Sequence, residues 1–238
     1  MKAELLDRLL RDRKEKRAVV LATTLPTGEG RLIYPQPAAG EAPELRDAAA
    51  AALDRDQCVT LELGGEASVF LQPFNPPLRL VLVGAVHIAQ PLSRMAALAD
   101  FEVVVVDPRS AFSTEARFPG VTRVLAWPDR ALLELGLDRR AAVVTLTHDP
   151  KLDDPALVVA LRSPAFYVGC LGSGKTHASR LARLRELGFT EAELSRLLGP
   201  VGLRLGARSP AEIAVSILAQ IVEHLRRPAA AGPPAPHH

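Results

Sequence analysis

From residue 79 onward the chain repeats one unit: a short uninterrupted apolar run, a polar junction, then a stretch with helical periodicity. The runs are "RLVLVGA" (79–85), "FEVVVVDPR" (101–109), "TRVLAWP" (122–128), "AAVVTLTHD" (141–149) and "AFYVGC" (165–170). Between them, "HIAQPLSRMAALA", "DRALLELGL", "DPALVVALRS" and "GKTHASRLARLRELG" read as helices. A strand that is apolar on both faces must be covered on both faces, which is the condition of a parallel sheet between helix layers. The repeat therefore predicts a Rossmann-like α/β domain over 76–227. Two helices finish it, at "TEAELSRLL" (190–198) and "SPAEIAVSILAQIVEHLRR" (209–227). In the latter, Ser209, Pro210 and Glu212 occupy the N-cap, N1 and N3 positions of a good helix start. Its apolar face, "IAVSILAQIV", suits either the core or a homodimer contact.

The first third has a different rhythm. A helix at 2–14 precedes a strand, "AVVLAT" (18–23); "LPTGEGRLIYPQPAAGEAP" reads as hairpin or loop, and "ELRDAAAAALDRD" as a helix. "CVTLEL" and "ASVFLQPF" alternate apolar and polar residues about Gly64 and Gly65, a hairpin pattern. Pro76 and Pro77 then break the chain, since proline cannot continue a central strand. A small α+β domain over 1–75 is expected. The Pro- and Ala-rich end reads as a disordered tail over 228–238, whose histidines are left out of any metal argument.

Composition removes several functions. With 29 basic and 27 acidic residues and a net charge of +2, no basic excess points to nucleic acid. No 18-residue apolar run predicts a membrane span, and the N-terminus lacks the apolar region of a signal peptide. Cys58 and Cys170 fit no zinc spacing, and such sparse cysteine use suits a reducing, cytoplasmic setting.

In a sheet of this kind ligands sit beyond the carboxyl ends of the strands, so the junctions matter most. At the first, "VGAVHIA" offers Gly84, but Val86 stands where a dinucleotide fingerprint needs its second glycine and Ala89 stands at the third. A side chain there blocks approach of a pyrophosphate, which disfavours NAD(P); Gly84 then serves turn geometry, and His87 faces a ligand or merely caps. At the second, Asp107 holds the position of a ribose-binding acid and Arg109 could clamp a phosphate or carboxylate, unless the two pair locally. At the third, Thr147, His148 and Asp149 are polar groups gathered at a strand end, with Asp153 or Asp154 expected to cap the next helix.

The fourth junction, Gly169 to Thr176, satisfies the P-loop spacing G-x-x-x-x-G-K-[ST]. Its place after the fifth strand, and the lack of a later apolar strand ending in Asp to hold magnesium, weigh against ATP hydrolysis. What survives is a helix start where Gly172, Ser173 and Gly174 leave amides for an anion.

The ordered motifs "PPLRLVLVGAVHIAQPL", "VVVVDPRSAF", "RFPG", "LTHDPKLDDPAL", "YVGCLGSGKTH" and "GPVGLRLGARSPAEIAVSILAQIV" resemble the XdhC/CoxI family, accessory proteins of molybdenum hydroxylases. The likeness is strong over 76–222 and loose before it. It implies a non-catalytic chaperone that binds molybdenum cofactor (molybdopterin), protects it while a cysteine desulfurase supplies its terminal sulfur, and delivers it to the apo-hydroxylase. Gly84, His87, Asp107, Arg109, Thr147, His148, Asp149, Gly172, Ser173, Lys175 and Thr176 would then line the cofactor site. An NAD(P)-linked oxidoreductase is the alternative, and a nucleotide hydrolase the lesser one. Family members tend to read G-S-R-R-T-H where this chain has "GSGKTH", so Lys175 stands as a lone phosphate contact in place of arginines. The family's N-terminal G-S-x-P-R and G-G-C-x-E motifs are not legible here. Cys58, in a predicted strand, and Cys170, after the fifth strand, are expected to be structural.

Overall fold

The computed structural model describes residues 2–36, 42–63 and 68–226; the Gly64–Gly65 turn and the 228–238 tail lie outside the described residues. The chain divides into two units, Met1–Pro77 and Leu78–His238.

In the first unit, α1 (Ala3–Lys14), β1 (Val19–Thr24), β2 (Gly30–Ile33), α2 (Pro43–Arg55), β3 (Val59–Glu62) and β4 (Ser68–Phe74) follow in order. The strands form an antiparallel sheet, β2-β1-β4-β3. Period-two alternation sends Val20 and Ala22 of β1 and Val69 and Leu71 of β4 to one face, where they pack with Leu45 and Ala49 of α2. Cys58 does not pack within a strand as expected. It precedes β3 and is exposed, because the αL turn at Asp56 that ends α2 leaves it outside the ladder.

The second unit contains β5 (Leu78–Val83), α3 (Ala89–Leu98), β6 (Phe101–Val106), β7 (Thr122–Val124), α4 (Pro128–Leu135) and β8 (Ala141–Thr145). It continues with α5 (Pro150–Arg162), β9 (Tyr167–Cys170), α6 (Gly174–Glu186), α7 (Glu191–Leu194), β10 (Leu197–Leu198) and α8 (Pro210–Arg226). Every strand pairing is parallel and the order is β10-β9-β8-β5-β6-β7. The central strands feed two cores. Val81, Val83, Val104 and Val143 pack under α4 and α5 with Leu132, Leu157 and Leu161. Leu80, Leu82, Val105 and Val144 pack on the other face with Leu92 of α3 and Ile217 and Ile221 of α8. Each fully buried Val or Leu contributes about 1.5–3 kcal/mol, which is why these strands carry no polar alternation. The apolar face of α8 is thus buried in the core through Ala214, Ile217 and Ile221.

Three boundaries differ from the sequence reading. The "TRVLAWP" strand stops at Val124, and Leu125 and Trp127 are 55% and 56% exposed. The helix at 190–198 ends at Leu194, and Leu197–Leu198 pairs with β9 as a sixth strand. Arg196 causes this exit by donating to the carbonyls of Leu161, Ser163 and Ala165. The helix expected from 154 begins instead at Pro150, with Asp149 as N-cap accepting from Lys151 N at 2.9 Å.

The strand order reverses between β5 and β8, and there the two following junctions touch. Gly84 has φ +110°, and a Cβ on it would lie 2.5 Å from Thr147 Cγ2. A Gly84→Ala substitution is therefore expected to lower stability by about 2–4 kcal/mol, from backbone strain and overpacking together. Urea unfolding followed by circular dichroism measures the loss.

Candidate functional site

The β6 junction is built around Asp107, which is fully buried. Its Oδ1 accepts from Arg109 N and Nε, both at 2.9 Å. Its Oδ2 accepts from Ala85 N and Arg109 Nη2, both at 2.8 Å. A carboxylate has about four acceptor positions, so all are engaged and none remains for a ribose. Burial alone pushes this carboxyl upward; the bonds from Arg109 and Ala85 overcome it and hold Asp107 below its ordinary range. Arg109 in turn lies over the Phe112 ring at 4.6 Å. Its guanidinium is raised, chiefly by Asp107, with Asp149 of the β8 junction adding to the effect. Asp107 and Arg109 thus form a brace that ties the β5 and β6 junctions together. His87 is exposed just ahead of α3.

The β8 junction is organised by Asp153, expected to cap a helix but in fact buried beneath the loop. Its Oδ1 accepts from Thr147 Oγ1 at 2.7 Å and its Oδ2 from His148 N at 3.1 Å. These bonds hold His148 at φ +61°, a left-handed conformation that costs a non-glycine residue about 1 kcal/mol or more. Asp153 also pairs with Arg180 Nη2 at 3.5 Å. Arg180 reaches back to Cys170 Sγ at 3.1 Å and to the Leu171 carbonyl at 3.2 Å. Desolvation dominates here: it raises the Asp153 carboxyl despite Thr147 and Arg180. Burial likewise pushes the Cys170 thiol up to about 11 and lowers His177, whose Nδ1 lies 3.6 Å from that sulfur.

The fourth junction spells a P-loop but is built as a capped helix. Ser173 Oγ accepts from Thr176 N at 3.2 Å and lies 3.0 Å from Thr176 Oγ1. The loop closes on itself: a Cβ on Gly172 would meet Thr176 Cβ at 3.2 Å. The Thr176 amide is therefore taken by Ser173, and the first-turn amides of Gly174 and Lys175 are those left over by helix geometry.

Between the third and fourth junctions lies a pocket of about 240 Å³. His148 and Pro150 line one side; Lys175, Thr176, Ser179, Arg180 and Arg183 of α6 line the other. Of the residues expected from sequence, His148, Lys175 and Thr176 meet here; Thr147 and Asp149 flank His148 in the chain without lining the pocket, and Gly172 and Ser173 form the turn into α6. Gly84 fixes Thr147 from below, whereas His87, Asp107 and Arg109 do not line this pocket. Sequence reasoning missed Pro150, Ser179, Arg180 and Arg183. Thr176, Ser179, Arg180 and Arg183 recur at the three- and four-residue spacing that marks one helix face. Among the described residues, no cluster of three or more His, Cys, Asp or Glu side chains is placed to hold a metal, and no helix is long and apolar enough to cross a membrane.

A parallel sheet in this order, with polar junctions collected at its carboxyl edge, defines a Rossmann-type domain. Residues 80–221 match the XdhC Rossmann domain model. The chain belongs to the XdhC family. It is 34% identical over 161 residues to a Bacillus subtilis protein named as a probable xanthine dehydrogenase subunit, covering 67% of this chain and 47% of that one. It is 31% identical over 148 residues to the molybdenum cofactor insertion chaperone PaoD of Escherichia coli, covering 62% of this chain and 40% of PaoD. An uncharacterised Escherichia coli protein, YqeB, is 35% identical over 68% of this chain and 30% of its own length. The chain thus spans less than half of each of these relatives. A Bacillus halodurans structure described as a xanthine dehydrogenase superposes with a TM-score of 0.71 at 23% identity, over 97% of this chain and 66% of the other, which establishes the common fold.

Two outcomes test the site chemistry. A carboxyl with a lowered folded-state pKa contributes stability above its unfolded value of 3.8 and loses it as pH falls through the lower folded value. Asp107→Asn is therefore expected to cost about 1–2 kcal/mol at neutral pH, since Arg109 is partly solvated. That deficit should shrink below pH 3.8, as urea unfolding across pH would show. Iodoacetamide at mildly alkaline pH should modify Cys58 in the native protein and reach Cys170 only on unfolding, as read by peptide mass spectrometry.

Proposed function

We propose that the α/β unit is a carrier for molybdenum cofactor, taken up as cargo at the carboxyl edge of the parallel sheet and handed to a molybdenum hydroxylase. The observation that carries this reading is the cationic pocket at the junction of α5 and α6, in a chain similar to a named cofactor insertion chaperone. The donors present fit a pterin bearing a phosphate. Lys175 supplies a positive charge, Thr176 supplies a hydroxyl, and the α6 start supplies amides. Thr147, His148 and Asp149 would flank the pterin side of the crevice, with Gly84 keeping the loop beneath them close. The metal centre carries the hydroxylase chemistry, and the carrier's task is to bind it and limit solvent access while a cysteine desulfurase adds the terminal sulfur.

The state of the Cys170 thiol supports a carrier that holds its cargo by the pterin. Cys170 is buried and protonated at neutral pH, a poor ligand for molybdenum. The filled acceptors of Asp107 and the side chain of Val86 count against an NAD(P)-linked oxidoreductase.

The protein incubated anaerobically with cofactor released from a denatured molybdoenzyme, then desalted, should retain near-stoichiometric pterin by fluorescence of its oxidised form. It should also slow the cofactor's oxidation. Pterin lost at the rate of free cofactor would overturn the proposal.

A further inference from the structure

We infer that the outward face of α8 pairs with the same face of a second copy of this chain, antiparallel and two-fold symmetric about Ala219. The inference goes beyond the carrier reading and does not depend on it.

α8 carries more apolar surface than the core takes up. Ala214, Ile217 and Ile221 are fully buried on its inner face. On the outer face Val215 and Val222 are 46% and 39% exposed, with the partly buried Ala219 between them. Exposed Glu212 and Arg226 close this row at its two ends. The steps along it alternate between three and four residues, the spacing that keeps a row in line along the seam of two packed helices. From Glu212 to Arg226 it runs about 21 Å. Beside it stands Leu205, 58% exposed, on a loop that the Leu203 amide ties to the Ser216 carbonyl of α8 at 3.1 Å.

The composition of the row fixes its occupant. It reads acid, valine, alanine, valine, base, so it complements itself only when reversed. In a parallel pair Glu212 would face Glu212, and Arg226 would face Arg226. Turned end for end, each Glu212 meets the Arg226 of the other copy, each Val215 meets the other Val222, and Ala219 meets Ala219 on the axis. Such an interface is isologous and closes at two copies. Alanine at the crossing lets the two helix axes approach to the short end of the usual separation of about 8–10 Å. The end charges set direction more than strength, because both are solvated. A contact about 21 Å long and one helix wide lies at the low end of specific interfaces. The dimer is therefore a reversible one, with a Kd on the order of 10 μM.

Sedimentation velocity of the whole protein from about 1 to 200 μM should show monomer converting to dimer. Val222→Lys should weaken association at least about tenfold and Arg226→Glu about fivefold. Both positions are exposed, and unchanged thermal melting of the variants separates association from folding. Cys58 is exposed and Cys170 buried, so Cys58→Ser leaves no accessible thiol to confuse a cross-link. In that background Ala219→Cys should form a disulfide-linked dimer under mild oxidation. Arg226→Cys, about 21 Å from its counterpart in the reversed pair, should not. Monomer at every concentration overturns the inference. A dimer untouched by Val222→Lys overturns the choice of face, and faster cross-linking through Arg226→Cys than through Ala219→Cys overturns the antiparallel register.

Discussion

The carboxyl edge of the α/β unit depends on one buried ion pair, Asp153 with Arg180, whose side chains are 1% and 2% exposed. Burying two such charges costs several kcal/mol each, and mutual attraction at 3.5 Å does not by itself offset it. The remainder comes from neutral partners: the Thr147 hydroxyl and the His148 amide on one side, the Cys170 sulfur and the Leu171 carbonyl on the other. Because the pair itself spans α5 and α6 and its partners lie on the β8 junction and the end of β9, satisfying it fixes four segments at once. Its worth is positional. A better-packed apolar pair could be more stable and would leave the loops unplaced.

The Asp107 brace does the same work on the other side of the switch point. It secures the β5 and β6 junctions through the Ala85 amide and the Arg109 fork, and Gly84 then presses this assembly against Thr147. The left-handed backbone of His148 is held between these two supports. Strain of that kind persists only where the surroundings over-determine it, and here they do so at the rim of the pocket.

The sheet was legible because its strands are buried on both faces, and continuous Val, Ile and Leu runs leave few alternatives. β10 was not, since two residues have no periodicity and their pairing follows from Arg196 reaching carbonyls more than thirty positions away. Within the site, polar residues at strand ends marked the correct edge. Their roles were less visible: whether Asp153 caps a helix or is buried under a loop turns on Arg180, which sequence spacing does not place beside it. The P-loop spelling is a weak guide for a related reason. It fixes residue types and distances along the chain, whereas a phosphate cradle is defined by which amides are still free, and the Ser173 hydroxyl consumes one of them.

The two outermost strands of the parallel sheet, β10 and β7, are two and three residues long. An exposed strand edge is a template on which another chain can pair. A second molecule adding to either border would gain only two or three rungs, too few to offset the entropy of docking. Extension of the sheet from copy to copy, the usual route from a folded α/β protein to a fibrous aggregate, is thereby discouraged at both ends by strand length.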